Sequence, residues 1–472
     1  MLEKYEPKEV MRFFEDISKI PRNSSEEKQI SDYLVSFAKE RGLEVIQDKA
    51  LNVIIKKPAS PGKEGLDPVI LQGHLDMVCV KDDELEFDFS CTPLPLTVDG
   101  DWLIAKGTSL GADNGIALAM IMAILDDKNL SHPPIEALFT TEEEVGLLGA
   151  GQVDGKHLSG KTLINLDSEE EGVFLASCAG GVRNDLKIPY EMGKIEGSKA
   201  YEIIIHGLSG GHSGIDINKG RASANVILAR MLREIDDLEL ISLSGGEKMN
   251  SIAKQARAVF TSSIDVPELI TKKTGEIQDQ YRANGNLVID LKETAIPAQG
   301  ITRDSSRKIV AVLNLIPHGP RVMSRDIEGL VETSSNFGVL SSTDKWIVVE
   351  NAHRSSVPAQ KQELVNCFED LAVLCNGIAE TQGDYPGWQF EKNSPIRELF
   401  CQCYEDLTGE EAKIDVIHAG LECGILQERI GKLDMISLGP NMADVHSPKE
   451  KLSIASVERT YKLLKHTLEK MN

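Results

Sequence analysis

Eight residues in this chain have the types that metal-assisted chemistry uses. They are His74 and Asp76, Asp113, the run Glu142-Glu143-Glu144, Asp167 and His446. Imidazole and carboxylate together suit borderline divalent metals such as zinc. Three adjacent carboxylates repel one another, and a cluster of them is costly to bury unless a cation lies among them. Each piece has an ordinary reading by itself. H-x-D is common by chance, Asp113 is a good helix N-cap, and a triple Glu suits the positive end of a helix dipole. The case therefore rests on which elements carry these residues.

Short apolar strands alternating with helices predict a mostly parallel α/β sheet covered by helices. The strands are "LNVIIKK" (51–57), "PVILQGHLD" (68–76), "IEALFTT" (135–141) and "KTLINLD" (161–167). A nearly all-apolar helix is expected at 113–127, and two amphipathic helices before the first strand, at 7–19 and from a Ser24/Glu27 capping box to Arg41. His74, Glu142–Glu144 and Asp167 end three of the strands, and Asp113 opens the buried helix. His446 follows a late strand, "DMISLGP" (434–440). The carboxyl ends of parallel strands meet in one crevice, where ligands bind. Two imidazoles and several carboxylates meeting there point to metal ions.

Near residue 182 the pattern changes. Strands are expected at 200–208, 238–244, 256–265 and 286–292, with helices at 220–236, 266–283, 303–315 and 358–378. Two β-rich stretches, "GLVETSSNFGVL" and "KWIVVENAH", lie between the last two helices, and the order suggests two similar α/β units in tandem. "TQGDYPGWQ" (381–389) reads as a turn-rich exit. Helix 394–407, strands 413–420 and 434–440 and helix 453–470 then resume the first pattern. The expected domains are a catalytic metal-binding domain from 1–182 and 386–472, with a lid and dimerisation domain, 183–385, inserted between.

"GHLDMV" (73–78), "GADNGIA" (111–117), "EEEVG" (142–146), "NLDSEE" (165–170), "GGHSG" (210–214) and "HSPKE" (446–450) resemble, in order, the motifs of the metal-dependent aminoacylase/carboxypeptidase/dipeptidase superfamily. "HAGLECG" (418–424) adds a likeness to its aminoacyl-histidine (Xaa-His, carnosinase-like) dipeptidase branch. The resemblance implies a di-zinc peptidase fold and two divalent ions per protomer, zinc by preference, with manganese and cobalt sharing the ligand set. It makes His74 a ligand and Asp113 the bridge between the ions. Glu144 and His446 complete one ion and Asp167 the other, and the Asp113-Asn114 peptide is cis. Asp76 orients the His74 imidazole, and Glu143 is the general base that activates a metal-bridged hydroxide. His212, in the inserted domain, stabilises the oxyanion in the partner protomer's site, which implies a homodimer through that domain. Arg354 holds the substrate carboxylate, Asn250 touches substrate, and His418 with Glu422 binds the substrate amine.

Other classes are disfavoured by bulk properties. Lys and Arg number 51 against 74 Asp and Glu, a net charge of −23, so there is no basic excess for nucleic acid. No apolar run reaches membrane-span length, and the amino-terminal segment lacks a signal-peptide layout. The eight scattered cysteines contain no C-x-x-C pair and read as reduced thiols, so a cytoplasmic enzyme is expected. "GKHLSGKT" (155–162) fits the P-loop expression but precedes a strand, where a P-loop must open a helix. The remaining alternatives are a broader dipeptidase, an N-acyl amino acid hydrolase with the same core, and a non-catalytic metal-binding protein.

Overall fold

The computed structural model describes residues 1–282 and 285–472. The chain forms two compact units. The first comprises Met1–Ser177, Phe390–Val416 and Leu421–Asn472; the second comprises Cys178–Gln389 and Ile417–Gly420. The expected boundaries fell at 182/183 and 385/386. The return of 417–420 to the second unit was not foreseen.

The first unit carries an eight-stranded sheet. In spatial order its strands are Glu44–Gln47, Val53–Lys57, Ile135–Thr140, Val69–His74, Thr162–Asn165, Asp434–Ser437, Val173–Cys178 and Lys413–Ile417. The four strands Ile135–Thr140, Val69–His74, Thr162–Asn165 and Asp434–Ser437 pair in parallel. Their carboxyl ends share one edge. Antiparallel strands flank this core on both sides, at Val53–Lys57 and Val173–Cys178. The helix Ala112–Asp126 is buried from Asn114 to Leu125 and packs on strand Val69–His74 and helix Lys8–Ile17. Its sequence has no polar face because no face meets water. Close packing fixes its start: a Cβ on Gly73 would lie 2.6 Å from Asn114 Oδ1 and 2.9 Å from Ala117 Cβ. The Asp113-Asn114 peptide bond is cis. A small four-stranded sheet, Met442–Ala443, Lys451–Ser453, Trp102–Ala105 and Leu96–Asp99, brackets the loop that carries His446. Sequence reading did not foresee it, because two- to four-residue strands leave no period-2 signal.

The second unit is built on a continuous antiparallel sheet. One half contains Gly285–Thr294, Lys199–Leu208, Ala256–Ser262 and Glu239–Gly245; the other contains Val331–Ser342, Trp346–Ser355, Gly180–Pro189 and Ile378–Tyr385. The halves meet through Ser244↔Ser341 and Gly245↔Leu340. The tandem units expected from sequence are therefore halves of one sheet. The expected exit loop at 381–389 is largely an edge strand, Ile378–Tyr385, whose polar side chains suit an exposed edge. Helices Ala224–Arg233, Val266–Gln280, Arg303–Leu315 and Pro358–Cys375 pack in this unit. Ala283, the last residue of the expected 266–283 helix, lies outside the described residues.

The Ser24/Glu27 capping box does not form. The helix begins at Lys28, after an uncapped Glu27. Ser24 Oγ instead donates to Asp76 Oδ2 (2.8 Å), and Glu27 Oε1 accepts from the Glu142 N–H (2.9 Å). Both side chains serve the loops at the sheet edge. Among the described residues no cysteine is in a disulfide bond.

Candidate active site

At the carboxyl edge of the parallel strands the structure brings five expected ligands together. His74 Nε2 lies 3.1 Å from Asp113 Oδ1 and 3.4 Å from Asp167 Oδ1. His446 Nε2 lies 3.2 Å from Asp113 Oδ2 and 2.9 Å from Glu144 Oε1. Two trios therefore share one carboxylate: His74–Asp113–Asp167 and Asp113–Glu144–His446. In each, the ligand atoms lie within 4.8 Å of one another. His74, Glu143 and Glu144 also satisfy that distance, so proximity alone does not separate ligand from base.

The backbone aims these groups. Asn114 Oδ1 accepts from the His74 N–H (3.1 Å) and its Nδ2 donates to Leu166 O (2.8 Å), tying the ends of two strands to the helix start. Asp76 is fully buried, with its carbonyl oxygen 3.1 Å and its Oδ1 3.4 Å from His74 Nδ1. Its carboxylate also accepts from the N–H groups of Glu143 (3.0 Å) and Glu144 (3.2 Å). His446 and Glu142 have left-handed backbones, φ 59° and 51°. A non-glycine residue in that region is unusual and concentrates at functional loops.

Charge crowding shows in the titration of the groups. Burial would lower His74, but the Asp167 charge and hydrogen bonds to Asp113, Asp167 and Asp76 hold it well above the usual imidazole value. Hydrogen bonds to Asp113 and Glu144 lift His446 to about 10. Burial, then repulsion from Asp167, Glu422 and Glu144, lifts Glu143 well above an ordinary carboxylate. Burial also lifts Glu169 to about 7, with Asp113 and Asp167 adding to the effect. This many carboxylates draw protons onto both imidazoles, and a bound divalent cation would displace those protons. The donor set fits such a cation: oxygen and imidazole nitrogen, no thiol.

The second unit gathers another expected set. Gly214 sits where a Cβ would meet His418 O, and would come within 3.2 Å of both Arg354 Nε and His212 Cε1. Asn250 is adjacent, its carbonyl accepting from the Ser213 N–H (2.9 Å). Arg354 Nη1 donates to Tyr385 Oη (3.1 Å), and Ser334 Oγ lies 2.7 Å from His418 Nε2. Burial, then the Arg354 and His212 charges, pushes His418 down to about 3.

The proposed amine pair, His418 with Glu422, needs correction. His418 falls in the second unit and Glu422 in the first. Glu422 is fully enclosed, and its Oε2 accepts from Gln72 Nε2 (2.6 Å) and Thr140 Oγ1 (2.7 Å). Burial raises it to about 8. The Glu422 Oε2 atom is therefore already engaged by Gln72 and Thr140 within the first unit.

The P-loop look-alike has its own explanation. Ser159 N, Ser159 Oγ and Gly160 N all donate to the buried Glu136 carboxylate, at 2.8, 2.9 and 3.0 Å. The anion nest is filled by the chain itself, and strand Thr162–Asn165 follows it rather than a helix.

Sequence reading missed Arg22, Ser24, Glu27, Tyr385, Ser334 and Glu450. Glu450 ends the same HSPKE motif that carries His446. The others lie far in sequence from the groups they touch.

Paired imidazole–carboxylate trios at the carboxyl edge of an α/β sheet, with a buried high-pKa glutamate beside them, define a metallohydrolase. A family profile for peptidase family M20/M25/M40 matches residues 70–470, and the chain belongs to that family. It is therefore a peptide-bond hydrolase. The cytosol non-specific dipeptidase of Escherichia coli (strain K12) is 36% identical over 479 residues, covering 100% of this chain and 99% of its own. The solved aminoacylhistidine dipeptidase from Vibrio alginolyticus is 35% identical with a TM-score of 0.96, covering 100% of this chain and 98% of that one. Aminopeptidase PepT from Bacillus cereus, 16% identical with a TM-score of 0.56 and 98% coverage of both chains, shares the fold. Among the described residues no helix is long and apolar enough to cross a membrane.

Proposed function

We propose that the chain is a dipeptidase that cleaves Xaa-His and related dipeptides with two divalent ions, zinc by preference. The observation that carries this is the pair of ligand trios sharing Asp113, with Glu143 beside them. His74, Asp113 and Asp167 would hold one ion, and Asp113, Glu144 and His446 the other. When bound, the ions lower the pKa of a water molecule and polarise the scissile carbonyl. Glu143 takes the water's proton and delivers it to the leaving amine. Its raised pKa suits both halves of that task, since the carboxyl must first accept a proton and then release it. Asp76 keeps the His74 ring oriented and the Glu143–Glu144 backbone in place.

Arg354, with Tyr385 and His418 around it, would read the substrate's terminal carboxylate, for which a planar guanidinium is suited. Asn250 lies beside His212 and would complete that surface. His212 would donate to the developing oxyanion in a partner protomer, making the enzyme a homodimer assembled through the second unit. Mixing inactive Glu143→Ala and His212→Ala chains tests this. A 1:1 mixture should regain about a quarter of wild-type activity, because half of its dimers are heterodimers and one of the two sites in each is whole. No recovery between exchanging subunits would rule out the shared site.

A second reading, dipeptide hydrolysis of broad specificity, is favoured by the likeness to a relative named as non-specific. Carnosine, other Xaa-His dipeptides, Leu-Gly and an N-acetyl amino acid should be compared by kcat/KM. The first reading expects the Xaa-His substrates to lead. Equal rates on Leu-Gly would favour the second, and preference for the N-acetyl amino acid would sink both. The likeness to a cytosolic relative also favours a cytoplasmic location.

A further inference from the structure

Glu450 is nearly buried, at 2% exposed, and its carboxylate is surrounded by backbone donors. Oε2 accepts from the N–H groups of Leu110 (2.7 Å) and Gly111 (2.9 Å). Oε1 accepts from those of Ala112 (2.8 Å) and Asp113 (3.2 Å). Four consecutive amides of the segment that ends in Asp113 thus converge on one side chain. Arg22, also buried, grips the same segment by its opposite polarity. Its Nη2 donates to Gly111 O, and its Nη1 donates to Leu75 O (3.1 Å) and Asp76 O (3.2 Å). One guanidinium therefore joins the His74–Asp76 loop to the Leu110–Asp113 loop. Gly111 has a left-handed backbone (φ 64°), and a Cβ there would meet Arg22 Nη2 and lie 2.5 Å from Met77 Sδ. Only glycine allows the clamp to close this tightly.

Helix propensity and core packing explain neither group. Burying a carboxylate or a guanidinium is expensive unless several hydrogen bonds compensate. An apolar pair would leave the four amides from Leu110 to Asp113, and the carbonyls that Arg22 grips, without these partners. What the charges supply is a fixed height and tilt for the Asp113 carboxylate, the one ligand common to both trios.

We propose that Glu450 and Arg22 are positioning residues that set the affinity of both metal sites through Asp113. This rests on the reading of Asp113 as a metal ligand. If it holds, loosening the segment weakens both ions together, whereas loss of Glu144 or Asp167 weakens one.

The test is zinc(II) affinity of the full-length protein, measured by competition with a metallochromic chelator. Glu450→Gln keeps the size of the side chain but turns an amide NH2 toward two of the backbone donors. It should weaken binding of both ions by roughly 10- to 100-fold, the usual cost of losing a group that orients ligands. Glu136→Gln is the control. Glu136 is likewise buried and accepts three hydrogen bonds, but at the amino ends of the strands. It should lose thermal stability while keeping wild-type zinc affinity. Arg22→Lys, which keeps the charge and loses the fork, should resemble Glu450→Gln. Wild-type zinc affinity in folded Glu450→Gln, or equal weakening in Glu136→Gln, would overturn the proposal. So would failure of Glu450→Gln and Arg22→Lys to fold where Glu136→Gln folds, since the role would then be folding. Asp113→Asn separates the two levels. If it keeps zinc, the ligand assignment itself fails; if it loses zinc while Glu450→Gln does not, only the positioning role fails.

Discussion

Asp76 holds Glu143 by its backbone: the Asp76 Oδ1 atom accepts the Glu143 N–H at 3.0 Å, while Oδ2 takes the Glu144 N–H at 3.2 Å. The residue beside the His74 imidazole therefore also fixes the register of Glu143 and Glu144, the proposed base and ligand. Asp76→Asn retains one acceptor and places a donor against an N–H. Turnover should fall by roughly 10- to 100-fold and metal affinity should fall with it. Ser24→Ala removes only a hydroxyl donated to Asp76 Oδ2, so its effect should be smaller. Equal loss in both variants, by steady-state kinetics and metal titration, would contradict the double role of Asp76.

The three glutamates should separate cleanly on substitution. Glu142 has a left-handed backbone, and its side chain accepts from Ser25 Oγ (2.7 Å). Glu142→Gly relieves the φ cost and should leave turnover near wild type. Glu144→Ala should lose one of two metal equivalents by elemental analysis. Retention of both by Glu144→Ala would show that the ligand register is wrong.

How far the sequence carried the site depended on the kind of residue. His74, Asp113, Asp167 and Glu142–Glu144 were legible because each ends or begins an element with a strong hydrophobic pattern. The assignment of base and ligand within the glutamate run came from motif resemblance, since adjacent carboxylates in an irregular turn have no distinguishing period. The supports were invisible. Arg22 reaches loops more than fifty residues away, and Ser24 and Glu27 imitated a capping box before the structure gave them to Asp76 and Glu142. Most of the second unit's helices and strands were legible singly, but strand Gly180–Pro189 was not expected and Ile378–Tyr385 overlaps the stretch read as a turn-rich exit. The unit's continuous sheet was not legible, because the Ser244↔Ser341 join is a long-range pairing with no local signature.

Acid should loosen the second unit through its buried histidines. His353 is fully buried, with Nδ1 3.0 Å from Ser335 Oγ, Nε2 without a partner, and its ring edge-on to Phe368. Burial pushes it down to about 3, and His318 down to about 4. The unfolded chain binds these protons first, near pH 6.5. Their contribution is therefore intact above that pH and lost as pH falls toward 3, by up to about 1.4 kcal/mol per pH unit for each group. His353→Gln should lower Tm at pH 7 but flatten its fall between pH 6.5 and 4. An unchanged slope in thermal melts would exclude His353 as a contributor.

Arg354→Lys should raise KM for dipeptides with a free terminal carboxylate by roughly 10- to 100-fold, the scale of a charge-assisted hydrogen bond. Dipeptide amides, which lack that charge, should show no such difference between variant and wild type. A KM penalty equal for acids and amides would remove Arg354 from carboxylate recognition.

The central claim, metal-dependent hydrolysis with Glu143 as the base, is tested most directly by one variant measured in two ways. Glu143→Gln preserves size and the backbone hydrogen bond to Asp76. Its kcat on an Xaa-His dipeptide should fall by at least about 10²-fold, the usual worth of a positioned base, while metal content stays at the wild-type stoichiometry. Near-wild-type turnover, or turnover lost together with a metal equivalent, would contradict that assignment.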